Sequence, residues 1–123
     1  MADWRPSDNP ILADLQRAVA IESINPALPG GERGEVGMVE FTEEFFRECG
    51  IPTESEEVLP GRCNVVATLA GRDPTRSLLF ESHMDTASTE GVTIDPFAPR
   101  MDAGLLYGRG SCDTTAGGVA MMH

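Results

Sequence analysis

One short apolar segment constrains the fold more than any other part of this 123-residue sequence. Residues 77–83 read Ser-Leu-Leu-Phe-Glu-Ser-His, which is the strongest signal for a buried strand in the chain. The predicted strand ends at His83, and Asp85 follows two residues later. In an α/β sheet, functional groups collect where the carboxyl ends of the strands open onto a crevice. The segment therefore predicts both a central strand and a site at its end.

Helices are predicted on both sides of this segment. Ser7 or Asp8 can cap a first amphipathic helix, in which Pro10 occupies the favoured first turn. Apolar residues at helical spacing predict a second helix over residues 35–49, and a third helix is predicted from about Val119.

Further strands are predicted between and after the helices, at residues 53–58, 64–69 and 105–107. The first of these carries several glutamates, which favours a solvated edge strand. Two helices followed by strands and a returning helix predict an α/β layer structure.

The charged residues exclude several classes of function. The formal net charge is −11, and all nine basic residues are arginine. Without lysine, the chain cannot be a phosphate-loop ATPase or a pyridoxal enzyme that needs a Schiff-base amine. A nucleic-acid partner would need a basic surface, and no apolar run is long enough to span a bilayer. Neither nucleic acid nor a membrane is therefore an expected partner.

The cysteines and the first residues predict a cytoplasmic location. Cys49, Cys63 and Cys112 are odd in number and have no Cys-x-x-Cys spacing, so we expect free thiols in a reducing compartment. Residues 1–4 read Met-Ala-Asp-Trp, which is typical of the N-terminus of a cytoplasmic protein. They are not followed by the basic region and apolar core of a signal peptide.

His83 and Asp85 form the first candidate site. Period-two alternation along a strand places both side chains on one side. The carboxylate can then hold one imidazole nitrogen and leave the other nitrogen free to bind a metal ion. The alternative is a histidine that merely finishes a strand, with the aspartate capping a turn.

Asp113 is the second candidate, within the glycine-rich residues 107–118. Glycines on both sides allow close backbone approach, so a loop between a strand and a helix can present this carboxylate. Its two oxygens suit a bridge between two divalent cations about 3.5–4 Å apart. The alternative is a glycine-rich turn with a helix-capping aspartate. A dinucleotide fingerprint is excluded, because a carboxylate at the third glycine position would repel a pyrophosphate.

Taken together, the two segments resemble the signatures of the dinuclear-zinc amidohydrolase and peptidase family. This is the family of acetylornithine deacetylase, succinyl-diaminopimelate desuccinylase, aminoacylase and glutamate carboxypeptidase. Residues 82–86, Ser-His-Met-Asp-Thr, are similar to its first signature, Gly-His-x-Asp-Thr/Val. Residues 108–117 are similar to its second, Gly-Arg-Gly-x-x-Asp-x-Lys-x-Gly. Ser82 replaces the usual glycine and Thr115 the common lysine, but neither change removes a metal ligand.

The resemblance extends over nearly the whole chain, since residues 21–26, 60–67 and 95–97 are similar to other family segments. It implies an α/β fold, namely the N-terminal part of a zinc-exopeptidase-like catalytic domain with a mixed sheet flanked by helices. Residues 1–123 would form this incomplete portion. The dimerisation domain and the C-terminal part of the catalytic domain would be absent.

The resemblance also implies roles for the site residues. His83 would be a terminal ligand of one zinc ion, and Asp113 would bridge two. Asp85 would be the catalytic-site carboxylate that orients His83. A non-proline cis peptide is expected at Asp113–Thr114. The general-base glutamate and the remaining ligands would lie beyond His123, which itself has the character of part of an interrupted helix.

The implied activity is zinc-dependent hydrolysis of an amide bond in N-acyl amino acids, with Co²⁺ or Mn²⁺ as possible substitutes. The substrate would be a small N-acylated amino acid or peptide, and the complete enzyme would be a homodimer. We expect this chain alone to be inactive, and to self-associate through unpaired strands. The alternatives are a dipeptidase or carboxypeptidase of the same family, or a non-enzymatic interaction module.

Overall fold

The computed structural model describes residues 9–123, and these residues form an α/β arrangement. The helices are α1 (Pro10–Val19), α2 (Val36–Glu48) and α3 (Thr115–Met122). The strands are β1 (Thr53–Leu59), β2 (Arg62–Ala67), β3 (Arg100–Asp102) and β4 (Leu105–Tyr107). None of the helices in the described part of the chain is long and apolar enough to cross a membrane.

Helix α1 begins at Pro10, which the sequence places in the first turn, and its N-cap is Asn9. The Asn9 side chain accepts a hydrogen bond of 2.9 Å from the backbone N–H of Ile11. Such a cap satisfies one of the N–H groups that the first helical turn leaves without a partner. The predicted caps Ser7 and Asp8, and the predicted start at residues 1–4, lie outside the described residues.

The core lies between the three helices. Its buried members are Ala18 of α1, Met38 and Phe41 of α2, and Val119 of α3. Met84, which lies between His83 and Asp85 in the first candidate site, packs against this cluster. Because successive residues of an extended chain point to opposite sides, the neighbours of Met84 point away from the core. This alternation turns His83 and Asp85 towards the cleft described below.

Strands β1 and β2 form an antiparallel hairpin whose register pairs Thr53 with Ala67. The exposed, glutamate-rich β1 has the solvated character that the sequence predicts, and β2 packs against α2. Strands β3 and β4 form a second antiparallel hairpin, with Arg100 opposite Tyr107. The chain leaves β4 directly into the glycine-rich loop, so this hairpin sets where that loop begins.

The predicted central strand at residues 77–83 is the main difference from the sequence-based expectation. The structure assigns no strand there, and Leu78, Leu79 and Phe80 are 80%, 79% and 64% exposed. A strand needs a hydrogen-bonded neighbour, and both hairpins pair only within themselves. Just beyond this segment, a single parallel bridge joins Ile24 and Thr86. The α/β class is confirmed, but the buried strand is not formed within residues 9–123.

Candidate metal centre

An open cleft of about 430 Å³ separates the two predicted site segments. His83, Asp85 and Thr86 line one wall, and the glycine-rich loop 108–113 lines the other. All three residues predicted from the sequence, His83, Asp85 and Asp113, therefore meet in one cleft.

The His83 ring is held through its Nδ1 atom. This nitrogen lies 2.9 Å from the backbone carbonyl oxygen of Asp85 and 3.3 Å from Asp85 Oδ1. Both neighbours are acceptors, so Nδ1 carries the proton and donates. Nε2 is then left with a lone pair that faces the cleft. The sequence predicts the carboxylate contact, but the shorter contact to the backbone carbonyl depends on how the chain turns after His83.

Asp113 faces His83 from the opposite wall, with its Oδ1 3.6 Å from His83 Nε2. The Asp113 side chain is 92% exposed, so water and ions reach both of its oxygens. The Asp113–Thr114 peptide bond is cis, which confirms the expectation from the family resemblance.

The glycine-rich loop can lie close to Thr86 because residue 110 has no side chain. Gly110 is buried and has a φ of +83°, a conformation that residues with a Cβ rarely adopt. A Cβ placed there would lie 2.6 Å from Thr115 Oγ1 and 3.1 Å from Thr86 Cγ2. The loop therefore packs directly on Thr86, which lies on the same wall of the cleft as His83 and three residues after it.

The facing pair has the spacing that a metal ion requires. Two ligand atoms bonded to a tetrahedral zinc at about 2.1 Å lie about 3.4 Å apart. The 3.6 Å between His83 Nε2 and Asp113 Oδ1 is close to this spacing. With Nδ1 protonated, both facing atoms are acceptors, and a cation between them relieves their repulsion. The residues present thus fit a metal ion.

This pair alone is an incomplete ligand set. Across residues 9–123, no group of three or more histidine, cysteine, aspartate or glutamate side chains could hold a metal ion. Catalytic zinc sites use about three protein ligands for each ion. Cys112 lines the cleft and is exposed, but it does not complete such a group.

Asp85 has a second contact that sequence reasoning did not single out. Its Oδ2 accepts a hydrogen bond of 2.7 Å from Asn25 Nδ2. The available signal was indirect, since Asn25 lies within residues 21–26, a segment identified only for its family resemblance.

An ion pair lies near the same carboxylate. Glu35, only 5% exposed, binds Arg62 through both of its oxygens, one of them 3.1 Å from Arg62 Nε. This hydrogen bond to Glu35 is the main cause that raises the pKa of Arg62, and the charges of Glu35 and Asp85 add to it. Arg62 therefore stays cationic and places positive charge near Asp85.

Arg109 connects the glycine-rich loop to the segment that follows Thr86. Its Nη2 donates a hydrogen bond of 2.6 Å to the carbonyl of Ser88, and its backbone N–H donates one of 2.7 Å to the carbonyl of Pro96. Within residues 9–123, Arg109 Nε and Thr86 Oγ1 are buried without a hydrogen-bond partner. The two hydrogen bonds of Arg109 tie the glycine-rich loop to residues 88 and 96.

His123 takes no part in the cleft. Its Nε2 lies 3.1 Å from Asp14 Oδ2, and its ring packs edge-on against Phe45 with centroids 5.1 Å apart. The sequence-based interpretation of His123 as part of a helix rather than a metal ligand is consistent with this position.

Comparison with known proteins shows that the chain is similar to one family. Residues 79–123, which include both site segments, match the model described as peptidase family M20/M25/M40. The chain is 33% identical over 113 residues to aminoacylase-1 of Sus scrofa, covering 89% of this chain and 26% of that protein.

Two bacterial relatives are similar over shorter stretches. Succinyl-diaminopimelate desuccinylase of Variovorax paradoxus (strain S110) is 47% identical over 87 residues, covering 64% of this chain and 22% of that protein. N-formyl-4-amino-5-aminomethyl-2-methylpyrimidine deformylase of Bacillus subtilis (strain 168) is 35% identical over 97 residues, covering 75% and 22%. The chain thus spans about a quarter of the length of these curated relatives.

Proposed function

Because the chain belongs to the peptidase family M20/M25/M40, we propose that it carries part of the active site of a zinc-dependent amidohydrolase. The observation that carries this proposal is the facing pair, with His83 Nε2 3.6 Å from Asp113 Oδ1 across an open cleft. The chain covers 22–26% of the length of these three relatives. We propose that residues 1–123 are an N-terminal portion of the catalytic domain.

In this proposal His83 would hold zinc through Nε2, and Asp113 would hold it through its carboxylate, whose second oxygen would be available to another ion. Co²⁺ or Mn²⁺ could occupy the same ligands. Bound there, zinc supplies Lewis-acid polarisation of the substrate carbonyl and activation of water. Asp85 does not touch the reacting atoms, so its role is to keep the His83 proton on Nδ1 and the Nε2 lone pair towards the metal.

The proposed reaction is removal of an acyl group from nitrogen, with a small N-acyl amino acid as substrate. The names aminoacylase, desuccinylase and deformylase all describe removal of an acyl group from a substrate. The deformylase is named for a pyrimidine, so relatives of this chain differ in the amine they release. A dipeptidase or carboxypeptidase activity is the alternative within the family, and a non-enzymatic interaction module is the alternative outside it.

The wider setting of this proposal follows from charge and cysteine content. With a net charge of −11, we propose neither nucleic acid nor a membrane as partner. Three cysteines without paired spacing favour a cytoplasmic location. A homodimer is proposed for the complete enzyme.

Titration calorimetry with Zn²⁺ tests the metal assignment directly. We expect binding by the unmodified chain and loss of that binding in His83→Ala and Asp113→Ala. His123→Ala is the matched control, because it removes the other histidine of the chain without touching the cleft. Equal binding by all four proteins, or none by the unmodified chain, would contradict the proposal.

Hydrolysis assays separate the two enzymatic alternatives. N-acetyl and N-succinyl amino acids are compared with unblocked dipeptides, and released amine is measured in the presence of Zn²⁺. Release from the acylated compounds alone supports the amidohydrolase. Release from the dipeptides alone supports the peptidase. Zinc binding without release from either class is the result expected if this chain carries only part of the active site.

A further inference from the structure

We infer that Asn25 is a positioning residue for the metal centre. It holds the Asp85 carboxylate in place, and this carboxylate in turn orients the His83 ring. This inference rests on the proposed function of the cleft. Asn25 lies 60 positions from Asp85 in the sequence, yet its Nδ2 donates a hydrogen bond of 2.7 Å to Asp85 Oδ2. The other carboxylate oxygen, Oδ1, lies 3.3 Å from His83 Nδ1. The two oxygens of Asp85 are thus divided between Asn25 and His83.

The orientation of the Asn25 amide follows from its other contact. Asn25 Oδ1 accepts a hydrogen bond of 2.9 Å from the backbone N–H of Ala27. An amide oxygen cannot donate, so the NH₂ group must be the part that faces Asp85. A flipped amide would set its oxygen against a carboxylate and its NH₂ against an N–H, which is doubly unfavourable.

The backbone around Asn25 is fixed to the site segment on both sides. Asn25 N–H donates a hydrogen bond of 2.9 Å to the Thr86 carbonyl, and Thr86 N–H donates one of 2.8 Å to the Ser23 carbonyl. Ser23, Ile24 and Thr86 are all buried. The Asn25 side chain therefore extends from backbone that is hydrogen-bonded to Thr86. The same backbone pairing sets the distance between Asn25 and Asp85, the residue before Thr86.

The consequence for His83 concerns which of its two ring nitrogens carries the proton. With Oδ2 held by Asn25, Oδ1 stays 3.3 Å from Nδ1, while the backbone carbonyl of Asp85 accepts the hydrogen bond from Nδ1, and the Nε2 lone pair stays available to a metal. Without the donor, the half-buried carboxylate is free to rotate about its side chain. His83 then loses one of the two acceptors that keep its proton on Nδ1.

Asn25→Asp is the sharpest single change. It keeps the oxygen that accepts from Ala27, so the local turn is retained, and it replaces the NH₂ donor towards Asp85 by a carboxylate oxygen that cannot donate. Asn9→Asp is the matched control, since Asn9 caps α1 through its side-chain oxygen and does not line the cleft. Both variants add the same charge to a chain of the same length.

Two readouts are measured. The first is ¹⁵N NMR of the histidine rings without metal, at about pH 8.5, above the range in which free imidazole titrates. The chain has two histidines, so His123 is an internal reference. We expect the fraction of the Nε2–H form of His83 to rise at least about twofold in Asn25→Asp and to stay unchanged in Asn9→Asp. The second readout is Zn²⁺ affinity, which we expect to fall about 3- to 10-fold in Asn25→Asp only.

A double-mutant cycle distinguishes action through Asp85 from a general structural effect. Asn25→Ala is compared with the unmodified chain, and the same change is made in an Asp85→Ala background. We expect a weaker Zn²⁺ affinity in the first comparison and a change of less than about twofold in the second. Equal losses in both backgrounds, or an unchanged His83 ring in Asn25→Asp, would overturn the inference. Absence of Zn²⁺ binding by the unmodified chain would instead contradict the proposed function, while the metal-free NMR comparison still decides the role of Asn25.

Discussion

His83 Nε2 and Asp113 Oδ1 face each other at 3.6 Å, although thirty positions separate the two residues in the sequence. The backbone between them runs through loops and the short β3–β4 hairpin, and it returns to His83 because the glycine-rich loop packs on Thr86. The metal-binding geometry therefore depends on tertiary contacts that can be changed without touching either ligand.

Gly110 supplies the first prediction. Gly110→Ala combines a positive φ with a Cβ 2.6 Å from Thr115 Oγ1, so we expect a loss of at least about 2 kcal/mol in the free energy of unfolding. The Zn²⁺ affinity should fall with it, because Asp113 is displaced. Gly61→Ala is the control, since its φ of +72° is similar but no atom lies within 4 Å of the added Cβ. In urea unfolding, Gly61→Ala should lose less free energy of unfolding, about 1 kcal/mol, and its Zn²⁺ affinity should be unchanged. Equal losses in both variants would show that the contact with Thr115 is unimportant.

The hydrogen bond from Arg109 to Ser88 supplies the second. Arg109→Met removes a charged donor at 2.6 Å, and we expect a loss of about 1.5–3 kcal/mol in urea unfolding. Arg100→Met is the matched control, because Arg100 pairs with Asp102 while both side chains are more than half exposed. We expect it to lose less than about 1 kcal/mol. The contact to Ser88 does not stabilise the cleft if the two variants unfold alike.

The core predicts a contrast within one helix. Phe41 is 6% exposed and belongs to the central cluster, so Phe41→Ala should lower the free energy of unfolding by about 3–5 kcal/mol. Val36, on the same helix, is 49% exposed, and Val36→Ala should change it by less than about 0.5 kcal/mol. Thermal melts followed by circular dichroism compare the two variants. Similar melting temperatures would show that Phe41 does not belong to the core.

The exposed residues 78–80 predict self-association. Leu78, Leu79 and Phe80 form a contiguous apolar surface in an extended segment without a strand neighbour. We expect the chain to associate in a concentration-dependent way, and Leu79→Lys to raise the monomer fraction severalfold. Leu105→Lys, at a residue that is also exposed but lies in β4, is the control. Sedimentation velocity measures both, and a monomeric unmodified chain would contradict this prediction.

A pH prediction concerns the turn at Asp73. The side-chain hydrogen bond from Thr75, and then its backbone N–H, lower the pKa of Asp73 below the ordinary 3.8. A carboxyl with a lowered pKa in the folded state stabilises the fold above its unfolded pKa, and this contribution is lost as the pH falls through the folded value. Thr75→Val removes the hydroxyl donor, so the pKa of Asp73 should rise towards 3.8. Carboxyl ¹³C NMR titration measures it, with Thr93→Val as a control at another exposed threonine.

Local patterns predicted much of the fold. Helices α1 and α2 and strands β1, β2 and β4 lie close to their predicted positions, because each depends on periodicity and turn residues within the element. Helix α3 begins at Thr115 rather than near Val119, and the Gly118 N–H already bonds to the Thr114 carbonyl. The last glycines of the predicted loop therefore lie in α3, which packs on α1.

The segment 77–83 shows where local patterns fail. Its apolar sequence predicts burial, but burial and strand pairing need a partner that periodicity cannot identify. Asn25 was missed for a related reason. Residues 21–26 were identified only by family resemblance, whereas the role of Asn25 depends on a hydrogen bond to a residue 60 positions away.

The sequence by itself determined which groups are available: an imidazole followed by a carboxylate, and a second carboxylate among glycines. These assignments are local, because ligand type and backbone freedom belong to the residues themselves. Only the tertiary structure decided that the Asp85 carbonyl lies closer to Nδ1 than its carboxylate does, that Asn25 holds Oδ2, and that Asp113 faces Nε2. Such contacts join distant parts of the chain, and their distances follow from how buried residues such as Thr86 and Gly110 pack.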